Sequence, residues 1–159
     1  MSILVRHAMT EAPRTVRPDM SAADAAALMA QFDVGSIPVA EEGRLLGIVT
    51  DRDLVTRVIA EGMDPRGVAV SDIMTKATVT VSPDAQLGQA RDLMRERKIR
   101  RLPVVKGDRL VGILSLGDVA VADASKRLVG EALEAISGSA STHDLNEGPD
   151  RGTPGRSGG

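Results

Sequence analysis

Polar and apolar positions alternate along this chain in two distinct periods. Apolar residues at Ala25, Leu28, Met29 and Phe32 keep the i, i+3, i+4, i+7 spacing of one helical face. Ser21 predicts the N-cap of that helix and Gly35 its stop. Before it, Thr15-Val16-Arg17 reads as extended, because Pro18 disfavours helix in the residue it follows. Residues 2–9 read as a short lead-in helix or strand. Ser36 to Ala40 and Leu45 to Thr50 predict two strands around the turn Glu41-Glu42-Gly43-Arg44. Asp51 to Ala60 predicts a second helix, closed by Gly62.

The pattern then runs again. Thr78 to Val81 reads as extended, and Ser82-Pro83-Asp84 opens a helix through Leu87, Ala90, Leu93, Met94 and Arg97. Arg101 to Val105 and Arg109 to Leu114 predict strands around Lys106-Gly107-Asp108, and helix resumes near Leu116. From Asp123 to Ile136 the helix carries Leu128, Val129, Ala132, Leu133 and Ile136 on one face. Beyond Ser137 the composition is Gly, Ser, Thr, Pro and Asp, so residues 138–159 are expected to be a disordered tail.

An offset of 65 residues superposes the two halves. It pairs Met9-Thr10 with Met74-Thr75, Thr15-Val16 with Thr80-Val81, and Pro18-Asp19 with Pro83-Asp84. It also pairs Leu28-Met29 with Leu93-Met94, Ile37-Pro38-Val39 with Leu102-Pro103-Val104, and Leu45 to Leu54 with Leu110 to Val119. One register held without a gap from Met9 to Asp53 indicates two copies of one supersecondary unit, which bury their apolar faces against each other.

Composition narrows the chemistry. The 159 residues are 42% hydrophobic and 26% charged, ordinary for a globular chain. One Phe is the only aromatic, so the core is aliphatic and no stacking platform for single-stranded nucleic acid is present. The net charge of −2 gives no general pull toward nucleic acid or anionic membrane. Arg91, Arg95 and Lys98, with Arg97, Arg100 and Arg101 nearby, make a basic face that reads as solvated rather than as a nucleic-acid surface. Without Cys there is no disulfide or thiolate chemistry. No apolar run nears the ~20 residues of a spanning helix, and the first residues lack a secretory pattern, so the expectation is a cytoplasmic protein. His7 and His143 stand apart, with no neighbours at metal-ligand spacing, so no metal site is expected. No nucleophile–base pair, P-loop or dinucleotide fingerprint occurs, and catalysis is not expected.

The candidate chemistry sits where each second strand ends. Thr50-Asp51-Arg52-Asp53 and Ser115-Leu116-Gly117-Asp118 each place a hydroxyl at a helix start and an Asp one turn in, beside free backbone N–H groups. As plain local devices, Thr50 and Ser115 are N-caps, and Asp53 and Asp118 cap or pair with a nearby Arg. Two matched copies favour a ligand role.

Each unit thus reads β-α-β-β-α and ends in Gly-apolar-apolar-Thr/Ser-x-x-Asp. With Ile37-Pro38-Val39, Gly47 to Asp53, Arg101 to Val105, Gly112 to Asp118 and the two Met-Thr lead-ins, the chain resembles the CBS domain in tandem, the Bateman module, without an attached catalytic domain. The resemblance covers about Met9 to Ala124. It implies an α/β (α+β) fold of two repeats, 9–62 and 71–124, joined by a linker at 63–70, packed with pseudo-twofold symmetry and followed by a helix at 125–137. It further implies two equivalent clefts, a homodimer, and a regulatory role in which AMP, ADP, ATP, S-adenosylmethionine or a relative is bound and an unidentified partner protein responds.

Carried onto this sequence, the resemblance gives Asp118 and Asp53 to the ribose hydroxyls. Ser115 and Thr50 become phosphate-side hydroxyls, and Arg52, Arg100 and Arg101 become phosphate cations. The Asp118 cleft takes its adenine wall from Arg17, Ala22, Val34, Gly35 and Ser36. The Asp53 cleft takes its wall from Ser82, Leu87, Ile99 and Arg100. Leu87 in place of Ala22, and Arg100 in place of Gly35, make the Asp118 cleft the favoured adenine site. The Asp53 cleft keeps the richer phosphate motif and stays a second candidate. The competing reading is a homodimeric interaction scaffold whose clefts are vestigial.

Overall fold

The computed structural model of the protein describes residues 2–76 and 79–143, the last five of these by their backbone alone. Two compact units divide the chain, one ending at Ala122 and the other starting at Asp123. In the first unit, helix α1 (Val5–Ala8) and strand β1 (Thr10–Glu11) precede helix α2 (Ala22–Phe32), strand β2 (Ser36–Glu41), strand β3 (Arg44–Thr50) and helix α3 (Asp51–Leu54). A π-helical turn (Val55–Ile59) and a 3₁₀ turn (Pro65–Gly67) lead into the second set. That set is α4 (Val70–Ile73), β4 (Thr75–Lys76), α5 (Leu87–Arg97), β5 (Arg101–Lys106), β6 (Arg109–Ser115) and α6 (Leu116–His143).

Local chemistry accounts for the boundaries. Ser21 Oγ accepts from Asp24 N–H at 3.1 Å, and Asp24 Oδ2 accepts from Ser21 N–H at 3.3 Å, which caps α2 from both sides. The helix stops before the expected Gly35. Asp33 takes the left-handed conformation (φ 52°), and Val34 N–H closes onto Met29 C=O. Helix α5 likewise ends at Lys98 (φ 55°), and it starts at Leu87 rather than at Ser82. Ser82 Oγ is spent on Asp84 N–H in a separate turn. Helix α6 runs on to His143, into the segment expected to be disordered from residue 138. Its Gly and Ser residues weaken a helix without stopping it, and no proline occurs between Leu116 and Pro149. Residues 144–159 of that expected tail, and Thr78, lie outside the described residues.

The pseudo-twofold symmetry is visible pair by pair. Thr10 faces Ile113 and Glu11 faces Gly112, while Thr75 faces Ile48 and Lys76 faces Gly47. Each set becomes the other under the 65-residue offset. The axis passes where Arg44 pairs with its own counterpart Arg109, and there β3 and β6 join the two halves into one antiparallel sheet. Leu45 N–H to Asp108 C=O (3.1 Å) and Leu110 N–H to Gly43 C=O (2.9 Å) repeat the relation.

The lead-ins, however, are exchanged. β1 belongs by sequence to the first repeat but lies on β6 of the second, and β4 of the second lies on β3 of the first. Hydrophobic burial follows the exchange. Val5 sits in a core with Met94, Leu102, Val104 and Leu114, while Val70 and Ile73 sit with Val39, Val49 and Val58. Each such buried side chain contributes about 1.5–3 kcal/mol, so two of them matter against a total stability of ~5–15 kcal/mol.

The exchange explains two glycines. A Cβ at Gly47 would stand 2.6 Å from Thr75 O and 2.9 Å from Met74 Sδ. One at Gly112 would stand 2.6 Å from Met9 Sδ and 2.9 Å from Thr10 O. The bare backbone lets each lead-in lie directly on the sheet of the other repeat.

In the second unit Leu128, Val129, Leu133 and Ile136 are 60–65% exposed. No helix among the described residues is long and apolar enough to cross a membrane.

Gly47→Ala is expected to lower stability by about 1–3 kcal/mol or more, because the obstructing atom is backbone. Gly67→Ala, with nothing within 4 Å, should change it by less than ~0.5 kcal/mol. Urea denaturation followed by circular dichroism measures both. A Gly47→Ala protein as stable as Gly67→Ala would contradict the close approach.

Candidate functional site

Strands β3 and β6 deliver the two repeated motifs to equivalent positions. In each, the hydroxyl residue caps the following helix. Ser115 Oγ accepts from Asp118 N–H at 3.0 Å, and Asp118 Oδ2 accepts from Ser115 N–H at 2.9 Å. Thr50 and Asp53 make the same pair at 3.1 and 2.9 Å. The capping role is therefore real in both copies. It consumes one carboxylate oxygen in each.

The other oxygen separates them. Asp53 Oδ1 receives a long hydrogen bond from Thr75 Oγ1 (3.5 Å) and an ion pair from Arg57 Nε (3.8 Å). Arg57 Nη1 also donates to Ile73 C=O (3.0 Å) and Met74 C=O (3.3 Å), so its guanidinium ties the π-helical turn after α3 to the exchanged lead-in. Asp53 is 7% exposed. At the symmetry-related position Arg57 is replaced by Ala122, which has no guanidinium to offer. Among the described residues nothing occupies Asp118 Oδ1.

Asp118 lines a cavity of about 700 Å³ with Ser115, Arg101, Ser36 and Val34. Of the nine residues expected around the first cleft, these five are brought together. The other four are elsewhere. Arg17 is exposed and paired with Asp19 at 3.1 Å. Ala22 is fully buried in the first core, because Ser21 ahead of it is the cap and its own side chain starts the inward face. Gly35 packs against Asp51, and Arg100 is exposed, its carbonyl accepting from Leu116 N–H.

The residues expected for the second cleft do not gather in the same way. Leu87 is a core residue and Ile99 packs against that same core. Ser82 is exposed, Arg52 is exposed with its N–H on Asp51, and Thr50 and Asp53 hold each other. A smaller hollow of about 340 Å³, lined by Thr56, Arg57, Glu61 and Asp72 among others, contains none of them.

The cavity also has walls the sequence reading missed. Thr10, Pro13, Arg14 and Thr15 come from the exchanged lead-in and the extended piece after it, Leu28, Gln31 and Phe32 from the end of α2, and Ile37, Pro38 and Ile113 from the strands. Arg14 lies over the Phe32 ring, 3.5 Å from its centre. The available signal was the chain's only aromatic residue, at the helix end that faces the hairpin. Among the described residues no cluster of three His, Cys, Asp or Glu could hold a metal ion.

Comparisons with known proteins bear on the family and the fold. The CBS-domain profile matches residues 5–60 and 70–125. The CBS domain-containing protein YhcV of Bacillus subtilis is 44% identical over 133 residues, 84% of this chain and 94% of that protein. The crystal structure of CBSX2 in complex with AMP superposes with a TM-score of 0.68 at 32% identity, over 78% of this chain and 98% of that one. Hypoxic Response Protein I, solved with two coordinated zinc ions, gives 0.69 at 30% identity, over 74% and 97%.

Arg57→Met keeps the aliphatic stem but removes two carbonyl bonds and the Asp53 pair. Half exposure of Arg57 limits the loss, and the expected destabilisation is about 1–2 kcal/mol. Thermal denaturation measures it. An unchanged melting temperature would show that the tie carries no stability.

Proposed function

The chain belongs to the CBS-domain family, and from that premise we propose that its Asp118 cleft binds an adenine nucleotide or adenosyl relative and that a partner protein reads the bound state. CBS pairs are regulatory modules. The observation that carries the finer reading is the unspent Asp118 oxygen in a 700 Å³ cavity, beside an Asp53 whose oxygens are both engaged. That volume lies within the ~300–1,000 Å³ of small-molecule sites.

The chemistry is as follows. Ser115 N–H fixes the Asp118 carboxylate, and its outer oxygen accepts from two adjacent ribose hydroxyls. Leu28, Val34, Ile37 and Ile113 offer apolar surface to a base. Ser36 donates a hydroxyl and Arg101 a guanidinium to phosphate. The Ser115 hydroxyl oxygen is held by Asp118 N–H, and the reading is of binding without turnover. The AMP held by the related CBSX2 supports the ligand class. The ligand biases the partner only by its different affinity for the module's two states. The same reading has the module acting as a homodimer in the cytoplasm.

A second reading, an interaction scaffold, draws on the exposed apolar residues Leu128, Val129, Leu133 and Ile136.

Calorimetric titration with AMP, ADP, ATP and S-adenosylmethionine separates the two. One ligand per chain is expected, with affinity falling about tenfold or more in Asp118→Asn and persisting in Asp53→Asn. Protein without Trp or Tyr absorbs little near 260 nm, so nucleotide carried through purification is visible beforehand. No heat from nucleotide-free protein with any of the four would favour the scaffold.

A further inference from the structure

The charge lining the Asp118 cavity is unbalanced. Arg14 and Arg101 both line it, and Asp118 is the one acidic residue there. Among the described residues neither arginine makes an ion pair. Arg14 is held instead by the face of its guanidinium against Phe32, 3.5 Å from the ring centre. This manner of holding matters. A salt bridge would spend the N–H donors of the guanidinium, which lie in its plane. Stacking on a ring uses the flat face and leaves the donors at the edge unspent. The side chain is therefore positioned, at the cost of little of its capacity to bind an anion. The device belongs to one cleft alone, since the residues 65 positions on are Val79 and Arg97.

We propose that Arg14, braced on Phe32, is a charge-selecting residue of this cleft: it donates to the phosphate of a 5′-phosphorylated adenosine and disfavours cationic adenosyl ligands such as the sulfonium of S-adenosylmethionine. The proposal rests on the nucleotide reading above and narrows its ligand class. Arg14 and Arg101 give a phosphate two planar forks, each suited to bidentate contact. S-adenosylmethionine, whose sulfonium and ammonium outweigh its one carboxylate, is net positive and places the sulfonium at the 5′ carbon where a nucleotide has its phosphate, so it meets the same two positive charges as repulsion in a partly enclosed site.

The test is titration of adenosine, AMP, ATP and S-adenosylmethionine into wild type, Arg14→Gln, Arg14→Lys and Phe32→Leu. The expected result has four parts. Wild type prefers AMP or ATP to S-adenosylmethionine. Arg14→Gln weakens AMP about tenfold or more, as loss of a charge-assisted bond does, and leaves adenosine within about twofold. Arg14→Lys recovers part of the loss, because charge returns without the fork. Phe32→Leu weakens AMP more than adenosine, because the brace is gone. Unchanged adenosine affinity also certifies that the variant cleft is intact. Equal losses for AMP and adenosine in Arg14→Gln would reduce Arg14 to wall packing and overturn the proposal. So would undiminished AMP binding, or S-adenosylmethionine bound as tightly as AMP by wild type. Wild type that binds none of the four compounds would refute the nucleotide reading itself, and this proposal with it.

Discussion

Everything in the first unit depends on the contact between each lead-in and the sheet of the other repeat. Gly47 and Gly112 have no side chain because the carbonyls of Thr75 and Thr10 lie over them. Two short strands of two residues each would be negligible alone. They hold because Val5 on one side, and Val70 and Ile73 on the other, are sealed in aliphatic cores. The exchange also sets the cavity. Thr10, Pro13 and Arg14 line the Asp118 cavity because β1 lies on β6 of the other repeat, and Arg57 finds carbonyls to hold only because α4 is delivered to it. Packing, symmetry and site geometry are consequences of one reciprocal contact.

Within a symmetric backbone the two clefts have become chemically different. The difference is concentrated at few positions. Arg57 against Ala122 decides whether the motif carboxylate is tied down or open. Arg14 with Phe32, against Val79 with Arg97, decides where a cation is braced. Among the described residues, a carboxylate oxygen and the N–H donors of two guanidiniums in the first cleft are left without an ion-pair or hydrogen-bond partner, the usual condition of groups that meet something from outside. In the second the same carboxylate serves stability. A duplicated fold can thus keep two copies of a motif and assign one to holding the molecule together.

Much of this was legible in the sequence. The 65-residue offset gave the repeat, the periods of 3.6 and 2 gave the elements, and the Ser115–Asp118 and Thr50–Asp53 spacings gave the two helix starts. The exchange was not legible, because a repeated pattern in the sequence shows that each unit has a lead-in without showing on which repeat's strands it lies. The family resemblance gives Ala22 and Leu87 as cleft walls, but a residue directly after an N-cap is turned into the core here. Helix stops were read from Gly35, whereas Asp33 and Lys98 accept the left-handed conformation. Arg57 and Arg14 were missed because their partners, the Ile73 and Met74 carbonyls and the Phe32 ring, lie 16 to 18 positions away and share no pattern with them.

The exchange also fixes an order of events during synthesis. The core of the first repeat lacks Val70 and Ile73 until they follow it out of the ribosome, which happens almost at once. The core of the second repeat needs Val5, which is made first, and Val119, which is made more than a hundred residues later. The segment that carries Val5 and β1 therefore has no β6 to pair with until the second repeat is made. Long-range closure of that kind is slow relative to local helix and hairpin formation. The N-terminal segment can dock only once β6 has been made, and the Asp118 cavity, which it helps to wall, cannot be completed before then.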